Sequence, residues 1–116
     1  ALAAGANFVA RGFALDVKPL ADILVAAMKH PGFSFVEVLS PCITFRPEQM
    51  AWKKAIERNA LQPTSDRKAA MAAVLGADEM MSGIIFAGDR PAYAEATPAP
   101  QGLAEVENEF ILDPAA

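Results

Sequence analysis

The sequence predicts an α/β fold in which the first half of the chain is one β-α-β unit of a parallel sheet. The segment from Asn7 to Phe13 is short and rich in strand-forming residues. A run with apolar residues at helical spacing follows it. The segment from Phe33 to Leu39 is then almost entirely apolar, as expected for a parallel strand that is covered on both faces. A strand, a helix and a second strand within this length form one β-α-β unit.

The predicted helix between the two strands has recognisable ends. Asp16 is a suitable N-cap residue, and Pro19 is tolerated in the first turn. The helix ends at His30, because Pro31 disfavours helical conformation at the residue before it. The apolar face of this helix is formed by Val17, Leu20, Ile23, Leu24, Ala27 and Met28.

The second half predicts a mostly helical extension with one short strand and an irregular tail. A weakly amphipathic helix is expected from Arg46 to Asn59, and an Ala-rich helix begins after a cap at Thr64 or Ser65. A short strand from Gly83 to Phe86 follows. From Pro91 the chain is rich in Pro and Ala, which favours irregular structure. A last apolar patch, which would need a surface to dock on, consists of Val106, Phe110, Ile111 and Leu112.

The composition is unusually apolar for a small domain. The chain has 116 residues, of which 53% are hydrophobic, and a net charge of -4; its mean hydropathy is +0.24. Small domains have a high surface-to-volume ratio and need polar surface. Either a partner covers part of the surface, or the chain is a piece of a larger protein. The Ala-rich start resembles the last turn of a helix that stops at Gly5, which favours the second explanation. We therefore expect the isolated chain to self-associate through surfaces made for neighbours.

Composition also argues against several classes of protein. No apolar run approaches the roughly 18 to 20 residues that span a bilayer, and the N-terminal residues lack the charged region of a signal peptide. The acidic charge balance and the lack of a basic cluster argue against nucleic-acid binding. A single cysteine cannot form an internal disulfide, which favours a reducing compartment. We expect a cytoplasmic protein.

Few residues are candidates for chemistry. Cys42, the single cysteine, comes directly after the apolar strand, at the edge where ligands bind in α/β sheets. A lone cysteine can equally be a small packed hydrophobe. His30 is expected on the surface at a helix C-terminus, and Glu37 is either buried with a partner or exposed at a strand edge. No phosphate-binding loop, Ser-His-Asp set or zinc spacing occurs in the sequence.

Four charged or aromatic residues near the end of the chain have simpler interpretations. Asp78 and Glu79 are expected to be solvated loop charges. Arg90 and Tyr93 flank Pro91 and are expected to anchor the tail by packing and hydrogen bonds.

Beyond these patterns, the chain resembles the C-terminal part of the β subunit of 2-oxoacid:ferredoxin oxidoreductases. The resemblance runs from Ala1 to about Glu95 and is most specific at VLSPCITF. The form PCITF is more similar to the 2-oxoglutarate and broad 2-oxoacid branch than to the pyruvate branch. The segments that carry the resemblance, in the order found in that subunit, are LAAGANFVARGF, GFSFVEVLSPCITF, PTSDRKAAMAAV and SGIIFAGDRPAYAEA.

The resemblance implies a fold and an activity. Residues 1–42 would be the C-terminal β-α-β part of a thiamine-diphosphate-binding domain, and residues 43–116 the C-terminal extension of the subunit. The whole enzyme would decarboxylate a 2-oxoacid, with 2-oxoglutarate favoured and pyruvate as the alternative. It would use thiamine diphosphate and Mg²⁺, pass electrons through a [4Fe-4S] cluster to ferredoxin, and form an acyl-CoA from coenzyme A. An α subunit would be its partner.

The same resemblance gives Cys42 a role. In the family, the cysteine of the Ser-Pro-Cys stretch is the fourth thiolate of the [4Fe-4S] cluster, and the other three come from near the N-terminus of the subunit. Cys42 would accordingly be an iron ligand. No bound cofactor and no catalytic activity are expected of these 116 residues alone. The alternatives are a stand-alone, non-catalytic interaction module and a structural domain in which Cys42 is a packed thiol.

Overall fold

The computed structural model describes residues 1–77 and 80–92. Asp78, Glu79, Tyr93 and the apolar patch from Val106 to Leu112 lie outside the described residues. A short 3₁₀ helix spans Pro47–Ala51. The other elements, in chain order, are β1 (Phe8–Phe13), α1 (Val17–Lys29), β2 (Ser34–Leu39), α2 (Trp52–Ala55), β3 (Glu57–Arg58), α3 (Arg67–Gly76) and β4 (Met81–Ala87).

The four strands form one mixed sheet in the order β2-β1-β4-β3. Strands β1 and β2 are parallel, with Phe8 opposite Ser34 and Phe13 opposite Leu39. Together with α1 they form the predicted β-α-β unit, so the α/β fold class is confirmed. Strand β4 lies antiparallel to β1 on its other side. The short strand expected in the extension is therefore longer than predicted, and it occupies an inner position of the sheet.

Helices cover the two faces of the sheet. On one face, α1 packs Ile23 and Ala27 against Phe8 and Ala10 of β1. On the other, Ala70 of α3 belongs to the larger cluster. Alternate residues of a strand point to opposite faces, so β1 contributes to both cores. The buried residues of the larger cluster are Leu2, Ala6, Val9, Ala70, Met81, Ile85 and Phe86.

The first residues form the hydrogen-bond pattern that ends an α-helix. The amide of Gly5 donates to the carbonyl of Leu2 at 3.1 Å, and the amide of Ala6 donates to the carbonyl of Ala1 at 3.1 Å. This pair of bonds is the Schellman motif. Gly5 has a φ of +91°, a conformation that glycine adopts without strain. The expected helix end at Gly5 is confirmed.

Two expected helix caps differ from the structure. The predicted cap of α3 at Thr64 or Ser65 is wrong, because Asp66 accepts hydrogen bonds from the amides of Lys68 at 2.8 Å and Ala69 at 3.3 Å. Asp16 does occupy the N-cap position of α1, but its side chain makes no capping hydrogen bond. The Asp16 carboxylate instead accepts from Nε and Nη2 of Arg58 at 2.7 and 2.9 Å.

The helix expected from Arg46 to Asn59 is much shorter than predicted. It is reduced to the 3₁₀ turn and the four residues of α2. At Ile56 the backbone turns to an extended conformation, with φ -64° and ψ 121°, and its side chain is 3% exposed. Burying this side chain and pairing β3 with β4 override the weak helical preference of the segment. No helix of the described part of the chain is long and apolar enough to cross a membrane.

Strand β2 lies at the edge of the sheet. Its outer edge pairs with no strand of residues 1–77 and 80–92. Its apolar side chains are not covered as expected, since Phe33 is 69% exposed, Phe35 42% and Val38 41%. An apolar strand with an open edge is a site for pairing with another strand.

The side-chain amide of Asn7 connects three parts of the chain. Asn7 is 4% exposed. Its Nδ2 donates to the carbonyls of Pro31 and Arg90, both at 2.9 Å. Its backbone amide donates to Phe33 O at 2.8 Å, and its backbone carbonyl accepts from the amide of Gly88 at 2.7 Å. Asn7 thus joins the start of β1 to the connection before β2 and to the segment after β4.

We predict that Asn7→Ala lowers the free energy of unfolding by about 2 kcal/mol, because two carbonyls lose a donor in a mostly buried setting. Asn7→Asp should cost more, since a carboxylate cannot donate to those carbonyls. Chemical denaturation measures both effects. Gln62→Ala, which removes an exposed amide, is the control and should change little. Equal effects of Asn7→Ala and Gln62→Ala would contradict this role of Asn7.

We also predict that the 116-residue chain self-associates through the open edge of β2. Sedimentation equilibrium should show a dimer or larger species. Val38→Lys places a charge on the edge strand and should shift the equilibrium toward monomer. Val25→Lys, at a valine of α1 with 44% exposure against 41% for Val38, should not. A strict monomer at high concentration, or the same effect from both variants, would show that the β2 edge is not an association surface.

Candidate functional site

The loop after β2 carries the thiol. Because β1 and β2 are parallel, their carboxyl ends lie at the same edge of the sheet, and the amide of Ala14 donates to the carbonyl of Leu39 at 2.9 Å. Cys42 lies just beyond this point, and it is an exposed free cysteine. The predicted placement of Cys42 at the strand end is therefore observed. An exposed thiol is not the packed core thiol of the alternative interpretation.

Hydrogen bonds fix the backbone of this loop. The amide of Arg46 donates to the carbonyl of Cys42 at 2.7 Å, which closes one helix-like turn. The amide of Cys42 donates to Oε1 of Gln49 at 2.8 Å. Both backbone polar groups of Cys42 are thus engaged, while its side chain remains accessible. Gln49 was not identified from the sequence, because no local pattern relates it to a cysteine on the preceding turn.

The residues that follow Cys42 in the chain include two exposed apolar side chains and one charge pair. Ile43 is 56% exposed and Phe45 83% exposed. Arg46 Nε donates to Oε1 of Glu48. The hydrogen bond from Arg46 lowers the pKa of the Glu48 carboxyl below its usual value. A hydrogen bond from the backbone amide of Glu48 contributes a smaller lowering of the same pKa. Glu48 is therefore ionised at neutral pH and balances the charge of Arg46.

The described residues cannot hold an iron–sulfur cluster by themselves. A cubane cluster takes four cysteine thiolates, and Cys42 is the single cysteine of the chain. Residues 1–77 and 80–92 contain no group of three or more His, Cys, Asp or Glu side chains placed to bind a metal ion. The exposed, fixed position of Cys42 fits one ligand of a cluster whose other ligands come from elsewhere.

His30 and Glu37 have structural surroundings. The His30 ring packs on Phe8 with 5.3 Å between the ring centroids, and its Nε2 is buried without a hydrogen-bond partner among the described residues. His30 lies at the C-terminus of α1 as expected, but it is half-buried, because the helix end brings part of the ring onto Phe8. Glu37 was expected to be either buried with a partner or exposed at a strand edge, and it is exposed on the edge strand β2. Its Oε2 lies 2.7 Å from Arg11 Nε, and Arg11 is its register partner on β1.

Two arginines of the extension hold the N-terminal turn. Arg90 donates to the carbonyl of Gly5, which confirms its expected anchoring role. Arg67, which sequence reasoning did not single out, donates to Leu2 O at 2.6 Å and to Ala6 O at 3.0 Å. Its guanidinium also lies 4.6 Å from the centroid of the Phe86 ring. These contacts attach the extension to the β-α-β unit.

Comparison with known proteins agrees with this fold. A β subunit of 2-oxoacid:ferredoxin oxidoreductase from Saccharolobus solfataricus is 49% identical over 45 residues, which are 39% of this chain and 15% of that protein. A β subunit of 2-oxoacid:ferredoxin oxidoreductase 1 from Aeropyrum pernix is 47% identical over 45 residues and has 14% of its length covered. No protein-family model matches the chain.

A solved structure resembles nearly the whole chain. It is a 2-oxoglutarate:ferredoxin oxidoreductase from Magnetococcus marinus, with 2-oxoglutarate, coenzyme A and succinyl-CoA bound. The similarity has a TM-score of 0.70 at 27% identity and covers 93% of this chain and 36% of that one. This chain is related to part of a 2-oxoacid:ferredoxin oxidoreductase. The resemblance to its β subunit, stated from the sequence, is confirmed by the relatives.

We predict that the thiol of Cys42 in the folded chain reacts with a thiol reagent such as Ellman's reagent. Since the side chain is exposed, the reaction should be nearly as fast as in the denatured chain and should reach one thiol per chain. Absorbance measures the release of the chromophore. Labelling that begins only after denaturant is added would mean that Cys42 is packed, and would contradict the placement of this loop.

Proposed function

We propose that this chain is the C-terminal part of a β subunit of a 2-oxoacid:ferredoxin oxidoreductase. The observation that carries the proposal is the structural similarity over 93% of the chain to a 2-oxoglutarate:ferredoxin oxidoreductase. The curated relatives are β subunits, although the matched region spans only 15% of their length. Residues 1–42 would end the thiamine-diphosphate-binding domain, and residues 43–116 would be the extension. Strand β4 of that extension completes the sheet beside β1.

We assign 2-oxoglutarate as the substrate of the whole enzyme. The PCITF segment is more similar to the 2-oxoglutarate branch, and the structural neighbour binds 2-oxoglutarate. The whole enzyme would use thiamine diphosphate with Mg²⁺ and a [4Fe-4S] cluster, with an α subunit and ferredoxin as protein partners and coenzyme A as the acyl acceptor. The residues that bind thiamine and coenzyme A are not assigned within this chain. The cytoplasmic location stays a prediction.

Within this chain, Cys42 would supply one of the four thiolates of the cluster. When bound, such a cluster carries single electrons. The part played by the chain is to hold the ligand in place. Gln49 and the turn closed by Arg46 fix the Cys42 backbone. Pro41, directly before Cys42, would restrict the backbone of the loop through its fixed φ. Ile43 and Phe45 would exclude water from the cluster side of the loop, and solvent exposure affects the potential of a cluster.

We predict that Cys42→Ser in the complete subunit, assembled with its partner, lowers the iron content and changes the EPR signal of the reduced enzyme. A hydroxyl is a harder and weaker ligand than a thiolate for iron in a cluster. Transfer of electrons to ferredoxin should fall by at least about tenfold, while release of CO₂ from the 2-oxoacid should survive in part, since that step precedes electron transfer. Total iron, EPR and the two activities measure these effects.

Ser40→Ala on the same loop is the matched control for Cys42→Ser. It removes a hydroxyl and leaves the thiol, so iron content and EPR should stay as in the unmodified enzyme. An unchanged four-iron signal with unchanged ferredoxin reduction in Cys42→Ser would refute the assignment of Cys42 as a ligand. Equal losses in CO₂ release and ferredoxin reduction, with normal iron content, would indicate a folding defect instead and would also refute it.

A further inference from the structure

The backbone of Cys42 is held on both sides of its Cα atom. On the N-terminal side, its amide donates to Oε1 of Gln49 at 2.8 Å. On the C-terminal side, its carbonyl accepts from the amide of Arg46 at 2.7 Å. The first hydrogen bond restrains the peptide plane before Cys42, and the second restrains the plane after it. The direction of the Cα–Cβ bond follows from these two planes, and χ1 is left to place Sγ in one of its staggered positions.

The local fold explains why Gln49 reaches Cys42. Gln49 lies in the first turn of the 3₁₀ helix Pro47–Ala51, and its own amide donates to the carbonyl of Arg46 at 3.0 Å. In a helix the Cα–Cβ bonds tilt toward the N-terminus, so a long side chain of the first turn extends past the start of the helix. The amide of Cys42 lies there, because the turn closed by Arg46 brings the chain back to it. Gln49 is half-buried, whereas Cys42 is exposed.

The acceptor that this turn offers to Cys42 is neutral. A glutamine side chain carries a carbonyl oxygen and no net charge. The acidic residue of the same turn, Glu48, has its carboxylate engaged by Nε of Arg46. The amide of Cys42 is therefore satisfied without a negative charge beside the thiolate that an iron ligand must be.

The engaged amide of Cys42 has a consequence for the reduction potential of a cluster bound there. A backbone amide has one proton, and that of Cys42 is donated to Gln49. It is consequently not available to a sulfur atom of the cluster. Hydrogen bonds to cluster sulfur raise the potential, because they stabilise the added negative charge of the reduced state. Keeping this donor away from the sulfur atoms keeps the potential lower.

We propose that Gln49 is a positioning residue for the iron–sulfur cluster and that it acts through Cys42. It fixes the direction of the thiolate, and by occupying the Cys42 amide it keeps the reduction potential of the cluster low. The proposal rests on the proposed function, because it takes Cys42 to be an iron ligand. Gln49 acts through its side chain, whereas Arg46 acts through its backbone amide, so a substitution at Gln49 can test this role.

Amide hydrogen exchange in the 116-residue chain tests the hydrogen bond without a cluster. Gln49→Met keeps the length of the side chain and removes its carbonyl acceptor, whereas Gln49→Glu keeps an acceptor. The control is Met50→Ala, which shortens the next side chain of the same turn, one that is 49% exposed. NMR should show that Gln49→Met speeds exchange of the Cys42 amide at least about fivefold. Gln49→Glu and Met50→Ala should leave this exchange slow.

Reduction potentials of the complete subunit, assembled with its partner, test the effect on the cluster. An EPR-monitored redox titration should give a higher midpoint potential for Gln49→Met, because the Cys42 amide is then free to donate to sulfur. Gln49→Glu should give a lower one, since a negative charge opposes the added electron. Met50→Ala should leave the potential unchanged. A purely structural role for Gln49 would not shift the potential in opposite directions in two variants.

Unchanged exchange of the Cys42 amide in Gln49→Met would show that Gln49 does not hold this amide, and would overturn the proposal. A midpoint potential for Gln49→Met equal to that of the unmodified enzyme would overturn it as well. Iron lost from Gln49→Met and retained in Gln49→Glu would support it, because the second variant keeps the acceptor. A full four-iron signal in Cys42→Ser would overturn this proposal and the proposed function together. Where Cys42→Ser loses iron, a failed result at Gln49 overturns this proposal alone.

Discussion

The side-chain amide of Asn7 is the interaction on which the arrangement of the chain depends. Its two donated hydrogen bonds end on the carbonyls of Pro31 and Arg90, which belong to segments far apart in the sequence. One carbonyl precedes β2 and the other follows β4, so a single buried group sets the positions of both neighbours of β1. In any other arrangement of these segments the buried Nδ2 group of Asn7 would lose its acceptors, and an unpaired buried donor destabilises a fold. The two hydrogen bonds therefore favour this one arrangement.

This arrangement also determines where the thiol is presented. With β2 held parallel to β1, the carboxyl end of β2 lies at a fixed edge of the sheet, and Cys42 follows it. The extension then returns across the molecule and contributes β4 to the other side of β1. Arg67 and Arg90 fasten that extension to the carbonyls of the N-terminal turn. The loop that carries Cys42 is consequently supported by a sheet to which both halves of the chain contribute strands.

The sequence was sufficient for features that depend on neighbouring residues. Periodicity predicts α1, the apolar run predicts β2, and the strand end places Cys42 at an edge. Features that depend on distant residues could not be predicted in this way. The carboxylate of Asp16 fits a helix cap, but Arg58 competes for it from β3. The helix expected beyond Arg46 yields to the burial of Ile56, which local helical preference does not reveal. Similarity to a family, and not periodicity, gave Cys42 a chemical role.

The central claim is that Cys42 is an iron ligand in the complete subunit, and locating the iron tests it most directly. Crystals of the assembled enzyme, measured at an X-ray energy above the iron absorption edge, give an anomalous difference map that shows the iron atoms without assumptions about ligands. The account predicts a peak for a four-iron cluster in bonding contact with Sγ of Cys42, and three further cysteine ligands from outside this chain's 116 residues. A cluster held by four other cysteines, with the Cys42 thiol free, would contradict it.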